Sequence, residues 1–374
     1  MVPRKSEMTE RFHLLLPALA AIALAACGDS AAPSSDTDDS ALPREDGMVR
    51  VPGGTFRMGS EGRFSTPYGM KFFPEEAPVR TVTVGPFWID ETEVTNDQFA
   101  AFVEATGYVT FAEREGSPDD FPPEARDYLP PTPFRQGSVV FTEPEDFHGD
   151  PNEPDAYMAW WRWDPDANWR QPTGEGSSIN DLGDHPVVCV TLEDANAYAE
   201  WAGKRLPTEA EWEFASRGGL AGRTFSWGDE MRPDGKWMAN TFQGDFPANN
   251  TAADGFKATA PARSFPPNGY GLYDMAGNVW EICSDFYDPD FPAMCTGNNP
   301  TGPDTWVDRT TGRRGEGAVH HVTKGGSFLC HVSYCMRYRP AARHSLEEGS
   351  PSNHTGFRCV RDVEGASESG PETE

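Results

Sequence analysis

Basic residues are scarce in this chain: 31 Lys and Arg stand against 59 Asp and Glu, a formal net charge of −28 over 374 residues. Nucleic acid demands a basic face for its phosphates, so it is excluded as a partner. A Walker loop, a G-x-S-x-G elbow, an H-E-x-x-H pair and internal repeats are all missing, which leaves hydrolase and nucleotide readings without support. The apolar run from Leu14 to Ala26 is too short and too Ala-rich for a comfortable membrane span.

What is present is a globular composition rich in loops. The apolar fraction of 37% suffices for a sizeable core, while 37 Gly and 34 Pro predict much irregular backbone, with 11 Trp as large anchors. Arg4, Lys5 and Arg11 precede the apolar run, so residues 1–26 read as a signal peptide. Leu24-Ala25-Ala26-Cys27 has the form of a bacterial lipobox, which makes Cys27 the expected lipid-bearing amino terminus; an ordinary signal peptide with an incidental Cys27 is the plainer alternative. On this reading the protein is extracytoplasmic, lipid-anchored to a bacterial membrane, with the periplasmic side expected. Residues 27–47 are Ser-, Asp- and Pro-rich and read as a flexible tether, 48–363 as one folded domain, and 364–374 as a disordered acidic tail.

Within the domain, Val49 to Ser60 alternates around Gly53-Gly54 and predicts a β-hairpin, and Val79 to Val84 and Phe87 to Asp90 predict further strands. Three helices are expected, after Asn96, from Leu192, and from Thr208, where Thr208 and Glu211 have the spacing of a capping box. Residues 113–155 are acidic and proline-rich, either solvated loops or a surface attracting a basic partner. The tryptophans Trp160, Trp161, Trp163 and Trp169 read as core, or as the wall of a groove for an extended peptide.

Two stretches carry chemistry. In Lys324-Gly325-Gly326-Ser327-Phe328-Leu329-Cys330-His331-Val332-Ser333-Tyr334-Cys335, two thiols stand five residues apart beside a hydroxyl. Such a pair forms a disulfide, or as thiolates converges on one Cu(I) or Zn(II) ion with a coordination position left open. Elsewhere Asn240, Thr241, Asp254 and Phe256, and then Asp274, Gly277, Val279 and Glu281, supply side-chain and carbonyl oxygens near glycine turns. Hard oxygens on loops suit Ca²⁺; ordinary Asx turns use the same residues.

The words KGGSFLCHVSYCMRYRPAAR closely resemble the active-site segment of the formylglycine-generating enzymes, and WAGKRLPTEAEWEFASRGG belongs to the wider family, including members without its chemistry. The resemblance spans nearly the whole domain and implies a single α+β domain related to the C-type lectin fold, with much irregular loop structure. It implies that Cys330 and Cys335 hold Cu(I), that Ser327 stands beside the reacting thiol, and that O2 oxidises a cysteine in a C-x-P-x-R motif of a sulfatase to formylglycine. It implies two structural Ca²⁺ sites, the first from Asn240, Thr241, Asp254 and Phe256, the second from Asp274, Gly277, Val279 and Glu281, with Asp274 where the family often has asparagine. The alternative is a non-catalytic extracytoplasmic binding or scaffolding lipoprotein of the same fold, with Cys330 and Cys335 in a disulfide. Of the remaining cysteines, Cys283 and Cys295 are the favoured disulfide and Cys189 with Cys359 the second guess; the partner positions of the animal enzymes' bridges are here Ala199, Ser216 and Pro340.

Overall fold

The computed structural model describes residues 42–364 apart from 119–125, 128, 132 and 308–311. The expected signal peptide, Cys27, most of the tether and the tail from residue 365 lie outside the described residues. Among the described residues no helix is long and apolar enough to cross a membrane.

Alternation in the amino-terminal part does produce strands, but not the expected hairpin. Met48–Val51 and Gly54–Met58 are successive pieces of one strand, and both pair with the later strands, in register from Met48 opposite Asp90 to Met58 opposite Arg80. The break at Gly53-Gly54 faces the break at Gly85-Pro86. Gly53 has φ +71, and a Cβ there would lie 2.5 Å from the Gly85 carbonyl carbon, so the two glycine corners bend the ladder together instead of reversing the chain. The ladder's halves enter different sheets. One is four-stranded, in the order Arg44–Glu45, Met48–Val51, Phe87–Asp90, Val360–Asp362; the other has Gly297–Asn298, Arg80–Val84 and Gly54–Met58. Pairing of Arg44 with Val49 also brings the ordered fold forward into the stretch read as tether.

The three expected helices form. Asn96–Thr106 (α1), Leu192–Trp201 (α2) and Glu209–Arg217 (α3) each begin at a threonine whose side chain accepts from the third backbone N–H while the residue there answers the cap's own N–H. Every residue of α3 is buried, including Glu209, Glu211, Glu213 and Arg217. That is tolerable only because each of these charges meets an opposite one within the fold. Trp212 of α3 packs with Val49, Ile89 and Val322, joining the amino-terminal sheet to a second four-stranded sheet, ordered His344–Glu347, His320–Lys324, Trp280–Phe286, Thr355–Gly356.

The expected disulfides are not formed: Cys189, Cys283, Cys295 and Cys359 are all free and buried. Cys359 packs among Phe99, Tyr198 and Phe357, whereas Cys189 lies with Val188 and Val279 in another cluster. Cys283 sits in the interior of the strand Trp280–Phe286, among the apolar side chains around Trp212. Burial pushes the thiols of Cys283 and Cys295 up, so both behave as small apolar core residues.

Candidate active site

Three buried cations rivet the cysteine-bearing segment to the core. At its start Lys324 lies 3.2 Å from Glu213 and 3.6 Å from Glu209. Further along, Arg339 forms a two-pronged pair with Glu76 at 2.8 and 2.6 Å. At its end Arg343 grips Glu209 at 2.8 and 2.9 Å. Between these anchors the chain doubles back so tightly that a Cβ on Gly326 would lie 2.9 Å from the Tyr338 nitrogen. The consequence is a fixed loop that puts Cys330 and Cys335 side by side, with Cα atoms 4.9 Å apart, joined as a disulfide.

Both cysteines line a cavity of about 690 Å³, within the range of ligand pockets. Trp160, Trp161 and Trp280 form apolar walls, and Tyr334 stacks on Phe246 with ring centroids 4.5 Å apart. Of the tryptophans between 160 and 169, Trp160 and Trp161 therefore line the cavity, while Trp169 is spent in the core against Phe99. Two cations reach the wall. Lys71 donates to the Ser333 carbonyl, and Arg337 pairs with Glu75 at 2.8 Å. From the acidic stretch, Pro151 to Pro154 line the mouth and present Glu153; the rest of it is engaged elsewhere in part, as when Glu113 accepts from Trp169 and Arg170.

Ser327 lies in the same wall, fully buried, with Oγ 3.1 Å from Nδ1 of His354 and accepting from the Leu329 N–H at 3.3 Å. His354 was not foreseen from the sequence. A lone histidine in Ser352-Asn353-His354-Thr355 carries no spacing signal, and only the fold brings it to Ser327 from 27 residues away. Burial pushes its pKa down to about 3, so the imidazole is neutral.

The donor chemistry of the cysteine pair fits Cu(I): two soft sulfurs within bonding reach, at the edge of a cavity that leaves room for a third ligand. The predicted oxygen ligands also gather. Asn240 and Gly277 are bridged backbone to backbone, which brings the two sets together. In the first set, Thr241 O, Thr241 Oγ1 and Asp254 Oδ2 all converge on one amide nitrogen of Gln243, while Asn240 Oδ1 is buried without a partner. Acceptors outnumber donors there, as a hard cation would require. Among the second set, Glu281 has both oxygens occupied by Arg358 at 2.6 and 2.7 Å, and by the Trp212 indole at 2.7 Å, so as a calcium ligand it would share them. Glu93, absent from the sequence expectation, is fully buried beside this set with Oε2 unpartnered; its Oε1 accepts from Asn278 at 3.0 Å. These loops hold the reactive segment directly: Asn278 O accepts from the Phe328 N–H and Gly325 O from the Gly277 N–H, both at 2.9 Å.

Few helices, short strands, long loops and one fixed cysteine loop define an α+β architecture shared with a solved protein, PvdO from Pseudomonas aeruginosa. The TM-score is 0.51 at 25% identity, over 84% of this chain and 94% of that one. Residues 33–363 match the family described as "Sulfatase-modifying factor enzyme 1-like domain". The formylglycine-generating enzyme of Thermomonospora curvata is 48% identical over 341 residues, covering 88% of this chain and 99% of its own. This chain belongs to that family, the sulfatase-modifying factor or formylglycine-generating enzymes. A mouse protein named Inactive C-alpha-formylglycine-generating enzyme 2 is also similar, at 37% identity over 84% of this chain and 85% of its own.

Proposed function

We propose that this chain is an oxidoreductase that converts a sulfatase cysteine, within a C-x-P-x-R motif, to formylglycine, with O2 as oxidant and Cu(I) held by reduced Cys330 and Cys335. The observation that supports it most is the fixed approach of the two sulfurs at the wall of a cavity large enough for a peptide turn, beside the Ser327 hydroxyl. Bound there, Cu(I) would supply a soft centre that the substrate's thiolate can join and at which O2 can be reduced. The chain's own residues do the rest. Trp160, Trp161 and Phe246 keep water from the reacting sulfur, Ser327 holds it, and Glu153 at the mouth offers a carboxylate to the motif's arginine.

The scaffold reading draws on the bonded state of Cys330 and Cys335 and on the inactive mouse relative. One experiment separates the two: reduced protein titrated with Cu(I), then given a C-x-P-x-R peptide, with aldehyde and oxygen uptake followed. Turnover that Cys330→Ser and Cys335→Ser each abolish supports the enzyme; copper-independent docking of Cys and Ser peptides alike supports the scaffold. We propose further that the two oxygen-rich loop sets bind structural Ca²⁺, and that Cys27 carries lipid and keeps the protein on the outer side of a bacterial membrane. Cys27→Ala should then leave the membrane fraction, and sedimentation with membranes would show a different anchor.

A further inference from the structure

We propose that His354 is a positioning residue: it fixes the hydroxyl of Ser327 so that a serine lone pair, and not its hydrogen, faces the substrate sulfur. This rests on the activity proposed above and assigns a residue that the cysteine segment does not contain.

A hydroxyl has one hydrogen to give and two lone pairs to offer. Around Ser327 Oγ stand the Leu329 N–H, which can only donate, and His354 Nδ1. The serine is fully buried, so no bulk water competes. If Nδ1 is bare, it takes the serine hydrogen, Leu329 fills one lone pair, and the other points into the cavity. If Nδ1 carries a hydrogen, both lone pairs are filled and the serine hydrogen projects into the cavity without a partner. The first arrangement gives both the serine hydrogen and the Leu329 N–H a partner, whereas the second leaves a buried donor unpaired at a cost, so the tautomer with hydrogen on Nε2 is the stable one.

The ring is held for this task. Trp161 packs on it with centroids 4.7 Å apart, and the His354 carbonyl accepts from the Trp280 N–H at 2.9 Å. On one side Asn353 is tied to the strand Ser138–Phe141, its Oδ1 accepting from Phe141 at 3.0 Å; on the other Thr355 pairs with Trp280. A substrate thiol entering the cavity thus meets an oxygen acceptor whose own hydrogen is already committed, and the S–H is oriented toward Ser327 before the sulfur gives up its proton and joins the metal as a thiolate.

The test uses the full chain. His354→Asn keeps an acceptor close to the place of Nδ1, and His354→Leu removes it. With a C-x-P-x-R peptide, His354→Leu should lower kcat about tenfold, the worth of one hydrogen bond to a reacting group, with KM changed less than about twofold. His354→Asn should restore most of that loss, and adding His354→Leu to Ser327→Ala should cost nothing more, because the histidine acts only through the serine. Multiplying losses, a loss confined to KM, or an Asn variant as slow as Leu at equal melting temperature would overturn the proposal. Nitrogen NMR of histidine-labelled protein gives an answer independent of turnover: His354 Nδ1 should resonate as an unprotonated acceptor and shift in Ser327→Ala. A protonated Nδ1 sinks the positioning role even if the peptide is oxidised, whereas a bare Nδ1 in a protein without turnover leaves the serine geometry standing and removes the enzymatic reading instead.

Discussion

Two sets of buried carboxylates hold the reactive segment, and their proton affinities move in opposite directions. In the first set burial alone would raise Glu213, yet Lys324, Arg217 and Arg80 outweigh it and hold its pKa at about 2; burial is outweighed at Glu209 likewise, by Arg343, Lys324 and Arg80. In the second, burial wins, and at Glu93 a neighbouring negative charge adds to it. Asp274 is pushed up to about 6, Asp254 rises by burial, and Glu93 rises well above the carboxylate range by burial and by Asp274. Asp285 obeys the same rule inside the first set: with no ion pair of its own among the described residues, it is pushed up to about 7 by burial and by Glu209. The difference is whether the chain supplies the cation. Where it does, the carboxylates are ionised and structural; where it does not, the oxygens are arranged for a cation from outside or for a proton.

The largest expected effect comes from removing a cation in the self-sufficient set. Arg343→Met leaves Glu209 with one ion pair among the described residues, to Lys324 3.6 Å away, and only the more distant Arg80 besides; it should lower the unfolding free energy by about 3–5 kcal/mol in a urea titration. A loss below about 1 kcal/mol would show that the pairing is not what stabilises this side, and the comparison would fail at its stronger end.

Next in size is the response to calcium and pH. Calcium at a hundred times its dissociation constant should raise the unfolding free energy by about 2.7 kcal/mol per site, read as a higher melting temperature than in chelator. The sign of the pH effect follows from the folded pKa values. Asp274 is raised, so its contribution is present below the unfolded value of 3.8 and is lost as pH rises through about 6; Glu213 is depressed, so its contribution is present above 4.5 and is lost as pH falls toward about 2. Chelated protein should therefore become more stable from pH 7 down to about 4 and weaken below that, while calcium-loaded protein should lose the gain between 7 and 4. Identical profiles with and without calcium would rule out a bound cation at Asp274.

Local signals made the outline of this fold legible. The capping box at Thr208 and the apolar spacing with a glycine stop in the other two helices act within a few turns, and the alternation of 79–84 and 87–90 survives because each strand has one buried face. The hairpin at 49–60 was misread because Gly53-Gly54 has the composition of a turn, and only the facing corner at Gly85 shows it to be a bend. The sulfurs and Ser327 were legible as one contiguous motif. His354 and Glu93 were not: each reaches its partner through strand pairing from a remote stretch, and neither sits in a pattern of its own. The cysteines failed for a related reason, since nearness in sequence between 283 and 295 says nothing of the core strand that keeps Cys283 inside.

The smallest effect is the sharpest test of the comparison, because its sign depends on calcium. Glu93 is fully buried and has no ion pair among the described residues; Oε1 accepts from Asn278, and Oε2 has no partner. Glu93→Gln keeps the first interaction and replaces a carboxylate oxygen, held near Asp274, by an amide that can donate to it. In chelator at pH 7 the substitution should stabilise the protein by about 1 kcal/mol, the order of one hydrogen bond, since burial and Asp274 make Glu93 take up a proton on folding and the neutral amide need not. With calcium present it should do the reverse, because the lost oxygen is one the ion would use, and the calcium-induced rise in melting temperature should shrink. Glu76→Gln is the matched control from the other set. Glu76 faces Arg339 with both oxygens, so that change should destabilise to the same extent with and without calcium. If Glu93→Gln also destabilises equally in both conditions, Glu93 is an ordinary structural carboxylate and the two sets do not differ in the way their proton affinities imply.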